Sequence, residues 1–512
     1  LYAYTGGKRS EVRREPACRR IFDLGTRPKR SEDVGARSAE QFGIGNRGNG
    51  GKNMSSPMTQ EQRYIKMTET PISRLIPSLA IPTIISMLVT SIYNMADTFF
   101  VSQISTSASA AVGVSYSLMA MIQALGFTLG MGSGNYLSRV LGSRDTEKAE
   151  RIASTGFYSA IFVGLLFALI CLPNLDRVVR LLGATDTIAP YAKDYARYIL
   201  IAAPVMTGAL SMNNLLRFQG LAVYSMIGIT TGGILNMILD PIFIFGLDLG
   251  ISGAALATAI SQCISFGILF FQSLLRKDCV HLKPGKITLS LSLYGEILHG
   301  GIPSLCRQGV ASIATAALNL AANPFGDAAI AALSIVSRYM MFIASAMIGF
   351  GQGFQPVCGF NFGAKRYDRV LESFWFCVKV SAVFLTALAV VSFFGAPQIM
   401  RVFRKEDLDV IEIGTWAMRF QCLTLPLSAW IVMSNMLTQT IGYGFRASFV
   451  AAGRQGLFLI PALFVLPVWF GIRGLQWCQP VADALTFVLG AVIVLGILKE
   501  LKDKTKKIQA ES

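Results

Sequence analysis

The chain has 512 residues, 53% of them hydrophobic and only 15% charged, with a formal net charge of +16. Soluble domains carry about 25% charged residues, so the composition excludes an ordinary soluble fold and points to a protein built in lipid. The positive charge does not signal a nucleic-acid partner, because it sits in a leading segment and in short loops between apolar runs.

In chain order, residues 1–57 hold twelve Lys/Arg against six Asp/Glu and contain the Gly/Asn-rich GIGNRGNGGKNM. They lack the apolar centre of a signal peptide. We read this segment as disordered and compatible with translation ahead of a start at Met54 or Met58. Twelve apolar spans follow, at about 71–100, 110–138, 152–173, 187–216, 222–247 and 252–275, then 296–322, 328–358, 371–399, 408–440, 446–471 and 475–498. A crossing helix needs about 20 residues. The run 75–138 contains one formal charge, Asp97, and 218–275 contains two, Asp240 and Asp248, so each run holds two helices and a turn.

The spans form two lobes, 58–280 and 281–512, the second with a basic tail. The second span of each ends in a similar Gly-rich stretch, GMGSGNYLSRVLGSRD and GFGQGFQPVCGFNFGAKRYD. Gly130, Gly132 and Gly134 match Gly349, Gly351 and Gly353 at one offset, 349 − 130 = 219, and Pro241 answers Pro467 further on. An even number of spans per repeat places the symmetry axis along the membrane normal. The expected fold is all-α and polytopic: twelve transmembrane helices in two pseudo-symmetric six-helix bundles around a central cavity. The Gly-rich ends read equally well as close packing and as part of an alternating-access device.

Charge sets the orientation. Arg139, Arg144, Lys148 and Arg151 lie in one set of loops with Arg276, Lys277, Lys283 and Lys286, with Lys365, Arg366 and Arg369, and with Arg446 and Arg454. The opposite connections SQISTSAS and NPFGD have neither Lys nor Arg. By the positive-inside rule both termini are cytoplasmic. The exception, Arg401, Arg404 and Lys405, is offset by Glu406, Asp407 and Asp409.

Acidic residues inside the apolar runs carry the chemistry, since a carboxylate at the bilayer centre costs roughly 2.5–3.5 kcal/mol. Asp97 lies in SIYNMADTFFV on the first span and Asp240 in ILNMILDPIFIF on the fifth. Asn236 precedes Asp240 by four residues and so shares its helical face. Thr258 on the sixth span and Asn213 in SMNNLLRFQG on the fourth add oxygen ligands. Such a set suits a proton or Na⁺ at Asp97, Asn236, Asp240 and Thr258. The structural alternative has Asp240 satisfying backbone freed at Pro241 and Asp97 meeting water at a helix end.

The second half has no matching acid pair; it offers Arg307, Arg338, Lys379, Arg419 and Asp483. Candidate cavity residues are Met119, Gln123, Asn319, Met340, Asn435 and Gln439, with Met side chains adaptable enough to suit varied cargo. The nine Cys include no C-x-x-C, and only His281 and His299 are present. With no H-E-x-x-H, G-x-S-x-G or phosphate loop, neither an intramembrane enzyme nor a cofactor is expected.

The double repeat, GFGQGFQPVCGFNFGAKRYDR, NMILDPIFIFGLDLGISGAALATAIS and PVADAL resemble the multidrug and toxic compound extrusion (MATE) family over roughly residues 70–500. The resemblance implies a cation site in the leading lobe at Asp97, Asn236, Asp240 and Thr258, with Asn213 contributing and Tyr93 beside it. It also implies a monomeric exporter of bulky, often cationic, organic compounds in a bacterial cytoplasmic membrane, driven by H⁺ or Na⁺. The acids that other branches place on the seventh and tenth helices are absent, with Ala316, Asn319 and Asn435 in those regions. The competing expectation is a flippase for a lipid-linked oligosaccharide, whose pyrophosphate would need Arg307, Arg338 and Arg419 as a charge clamp.

Overall fold

The computed structural model describes residues 59–276, 278–404 and 407–511, which form helices and connecting turns with no strand among them. The reading of residues 1–57 lies outside the described residues, as do Lys277, Lys405 and Glu406.

The first helix, α1 (Gln60–Glu69), was not among the expected spans. Thr59 starts it with a capping box: its Oγ accepts from Gln62 N, and Gln62 Oε1 accepts from Thr59 N. Its Arg63 is buried against Asp278 in the connection between the two halves, 2.7 Å apart. Just beyond it, the Met67 and Thr70 carbonyls accept from Asn361 and Arg369 of the second half. One short helix thus ties the linker to the second half.

Six spans of the first half follow: α2 (Ile72–Ser102), α3 (Thr106–Gly142), α4 (Thr146–Cys171), α6 (Ala189–Phe218), α7 (Ala222–Pro241) and α8 (Gly250–Leu275). The short α5 (Leu175–Leu181) lies between α4 and α6. Pro241 has no amide to give the Met237 carbonyl one turn back, and beyond it the chain passes into a π-helical turn at Ile242–Gly246. The second half contains α9 (Leu291–Ala322), α10 (Asp327–Gly363) and α11 (Tyr367–Phe403). Its tenth span is bent by 56° between α12 (Leu408–Thr424) and α13 (Leu427–Thr440), where Pro426 interrupts it.

The last two spans are α14 (Gly444–Ala452) with α15 (Leu459–Glu511), and α15 is two helices joined at Gly471, whose φ of 58° only glycine adopts readily. Among the described residues nine helices are long and apolar enough to cross a membrane, ten with the bent pair. Counting α9 and dividing the final run at Gly471 gives twelve, in two pseudo-symmetric six-helix bundles.

The repeat is visible in the hydrogen bonds. Asn213 donates to the Ser225 carbonyl and Asn435 to the Ala447 carbonyl, each twelve residues ahead. Both bridge a turn that holds a positive-φ glycine, Gly220 and Gly442, and the offset is the same, 435 − 213 = 442 − 220 = 222.

The halves meet where their Gly-rich spans cross. A Cβ on Gly132 of α3 would run into the Ile297 carbonyl of α9, and one on Gly353 of α10 would collide with Ala80 of α2. Thr83 Oγ1 donates to the Gly349 carbonyl at 2.6 Å in the second crossing. Thr440 Oγ1 donates to Asn135 Oδ1 at 2.9 Å, and Arg139 pairs with Glu296 at 3.1 Å. These contacts gather at the end of the molecule that carries the basic loops.

Candidate cation site

Three helices of the first half carry the predicted acids and their neighbours. Asp97 and Tyr93, one turn apart, come from α2, Asn236 and Asp240 from α7, and Thr258 from α8. All are buried, with Asp240 at 0% and Asp97 at 9% exposure. Asn236 lies at the centre: its amide nitrogen donates to Asp240 Oδ1 at 3.1 Å and to Thr258 Oγ1 at 3.2 Å. Gly233, one turn before Asn236, lies against the Tyr93 ring, so α7 packs closely on α2.

Three oxygens of this group, Asp97 Oδ1, Asn236 Oδ1 and Asp240 Oδ2, are buried and accept no hydrogen bond among the described residues. Neither carboxylate has an ion pair among them. Buried polar groups are ordinarily satisfied, and buried charge is ordinarily paired. The arrangement is short of positive charge, and its donors are all hard oxygens of the kind that hold a proton or Na⁺.

Tyr195 of α6 belongs to the same group and is absent from the sequence reading. It is fully buried, its hydroxyl reaches Met119 Sδ at 3.7 Å, and Thr258 and both acids lie near enough to act on it. Its signal is faint: a tyrosine in a polar helix start, YAKDYARYI, gives no hint that it faces α2 and α8.

Asn213 requires a correction. It is eighteen residues beyond Tyr195 on α6, about 27 Å along the axis at about 1.5 Å per residue. Its amide is committed to Ser225, where it holds the turn between α6 and α7. Two proposed cavity residues are likewise spent on structure. Asn435 is its counterpart in the second half, and Gln439 donates to the Gly300 carbonyl at 2.8 Å and to Ser304 Oγ at 2.9 Å. Met119 is buried in the first-half core and Met340 packs against the second-half core, while Gln123 is half-buried and Asn319 exposed.

Buried cations were also underestimated. Arg217, one residue before the end of α6, is 1% exposed. Its place in LLRFQG reads as a helix end where an arginine reaches water. Arg419, by contrast, donates to the Phe393 carbonyl at 3.3 Å and lies over the Phe393 and Trp416 rings, and Arg338 is exposed.

Comparison with known proteins agrees with this architecture. The family model described as MatE matches residues 82–242 and 303–465. The chain is similar to the multidrug export protein MepA of Staphylococcus haemolyticus (strain JCSC1435), 28% identical over 459 residues, which cover 88% of this chain and 100% of that protein. Its fold is similar to a MATE family transporter of the MOP superfamily solved in an outward-facing conformation, with a TM-score of 0.82 and 25% identity over 88% of this chain and 100% of that one. It is also similar to a MOP superfamily transporter from Pyrococcus furiosus, described as having a binding pocket of reversed polarity, with a TM-score of 0.80 and 26% identity over 86% and 98%. Two matched segments, one per repeat and together more than half the chain, establish that it belongs to the MatE family, the multidrug and toxic compound extrusion transporters, and is a transporter rather than an enzyme.

Proposed function

We propose that the chain is a secondary active antiporter. It exports bulky organic compounds, often cationic, across the cytoplasmic membrane in exchange for H⁺ or Na⁺. One observation carries the reading: three buried oxygens, on Asp97, Asn236 and Asp240, are unpartnered, and neither acid has an ion pair among the described residues. A proton would neutralise one of the acids; Na⁺ would be met by Asp97, Asn236, Asp240 and Thr258. The name of the staphylococcal relative, a multidrug export protein, supports the class of cargo.

In this mechanism the lobes are 58–280 and 281–512, the chain acts as a monomer, and both termini are cytoplasmic. The end sealed by α3, α9, α2 and α10 then faces the cytoplasm. A cation entering from outside binds near Asp97 and Asp240, reshapes the first lobe and weakens its hold on cargo. It shifts the two states only by its difference in affinity for them. The flippase alternative draws little support, because Arg338 and Arg419 do not gather with Arg307 into a clamp.

The test is ethidium efflux from vesicles under an imposed pH or Na⁺ gradient, comparing the native chain with Asp97→Asn and Asp240→Asn. Both substitutions are expected to abolish gradient-driven efflux. Unimpaired transport by a well-folded double variant would reject the coupling role.

A further inference from the structure

Helix α1 ends against the second half. The last carbonyls of a helix have no partner inside it, and here two are taken by side chains from across the junction. Asn361 Nδ2 of α10 donates to the Met67 carbonyl at 3.0 Å, and Arg369 Nη2 of α11 donates to the carbonyl of Thr70, the residue that caps α1. A guanidinium there also suits the negative end of the helix dipole. Asn361 follows Phe360, whose carbonyl lies where a Cβ on Gly142 of α3 would fall, so these bonds sit at the seam itself.

Toward its start α1 is fixed to the other side of that seam. Arg63 Nη2 donates to Asp278 Oδ2 at 2.7 Å, with the two side chains 7% and 3% exposed. Asp278 belongs to the connection between the halves, and that connection is bound to the first half. Val280 N donates to Gln219 Oε1 at 2.8 Å, Lys283 N to Ser154 Oγ at 3.0 Å and Thr288 N to Thr155 Oγ1 at 3.1 Å. Glu61 adds an exposed pair with Arg144 of the α3–α4 turn at 2.9 Å. Met67 Sδ lies against the α6–α7 turn, 3.2 Å from where a Cβ on Gly220 would stand.

The two attachments differ in what it costs to part them. Breaking a buried ion pair such as Arg63–Asp278 is expensive. Asn361 and Arg369 keep partners within the second half: Asn361 Nδ2 also donates to the Val357 carbonyl at 2.8 Å, and Arg369 Nε donates to Asn361 Oδ1 at 3.2 Å. The contacts with the second half are therefore the ones that yield.

We propose that α1 is a strap that holds the basic end shut. Opening lifts the Met67 and Thr70 carbonyls off Asn361 and Arg369 while Arg63 stays on Asp278, and the strength of the strap sets how often the end opens. This rests on the alternating-access part of the exporter reading.

The experiment places spin labels, carried on p-acetylphenylalanine, at Lys148 and Glu372 of the full chain in phosphatidylcholine vesicles. Both are exposed and lie near the starts of α4 and α11, one in each half. Pulsed dipolar spectroscopy of the native chain should show a dominant short distance. Asn361→Ala and Arg63→Ala should enlarge the long-distance population about tenfold, and Glu61→Gln, at an exposed pair, by no more than about twofold. Gly132→Ala, a wedge at the α3–α9 crossing, marks the open distance without touching α1. Thermal unfolding identifies a variant that fails to fold; Arg63→Ala, which leaves Asp278 paired with Arg276 at 3.0 Å, decides the matter if Asn361→Ala does. A helix that only braces the fold would lower the thermal midpoint without moving the distances. Native distances in folded Arg63→Ala, with an open population in Gly132→Ala, overturn the strap alone. A single distance in every variant, Gly132→Ala included, overturns alternating access and the strap together.

Discussion

Each half of the molecule buries acid in its apolar interior, and the two do so in opposite ways. Asp240 accepts from the Asn236 amide and the Asp97 charge acts on it; each acid keeps an unsatisfied oxygen and, among the described residues, neither has an ion pair. Asp483 of the second half is held by Arg454 Nε at 2.8 Å and by Gln479 Nε2 at 2.9 Å. A carboxylate already neutralised gains little from an incoming ion, whereas an unneutralised one gains much. Similar helices thus provide an exchange site in one half and a structural tie in the other, and what distinguishes them is the neighbour of the acid.

The comparison can be broken most directly at the exchange site. Asp97→Asn and Asp240→Asn should reduce gradient-driven ethidium efflux to the leak rate. Their thermal midpoints in detergent should hold or rise, because each removes an unpaired charge. A steep fall in midpoint would make these acids structural and erase the contrast. Asp483→Asn should do the reverse, costing about 2–3 kcal/mol of stability while transport per folded molecule persists. That is less than the roughly 3–5 kcal/mol of a fully buried broken pair, since the Arg454 side chain is 27% exposed. Replacing both partners, Arg454→Met with Asp483→Leu, should recover most of the loss in the same unfolding assay.

Smaller effects sharpen the picture. Tyr195→Phe removes one hydroxyl from the exchange site, so efflux should slow a few-fold for about 1 kcal/mol of stability; a normal rate would place Tyr195 outside the machinery. Asn213→Ala and Asn435→Ala should each cost about 1 kcal/mol and leave ion coupling intact. Unequal costs in chemical denaturation would show that the two turns have diverged in more than sequence.

The fold was legible because length and apolarity dominate in lipid: twelve runs, a repeated Gly-rich stretch and one-sided basic loops leave few alternatives. The acids were legible for the same reason, as an ionised group in such a run needs a cause. Asn236 was legible through its four-residue spacing from Asp240. Partner choice was not legible. Asn213, Asn435 and Gln439 are as polar as Asn236, and sequence cannot tell that a turn or a facing carbonyl absorbs their hydrogen bonds. Tyr195 and Arg217 were missed because their significance lies in what other helices bring to them. Helix α1 is too short and too polar to be noticed beside the spans, and its importance comes from the contacts of Arg63 and its flanking carbonyls.

The glycine crossings bear on how the molecule could change state. Each half lends its second span to the first span of the other, α3 onto α9 and α10 onto α2, with backbones too close for a side chain between them. A lever with two such pivots at the same end cannot release one and keep the other, since both belong to the same pair of rigid bodies. Rocking would therefore undo both contacts together, making the switch cooperative, and a single methyl group wedged at either pivot would tilt the balance of the entire transporter.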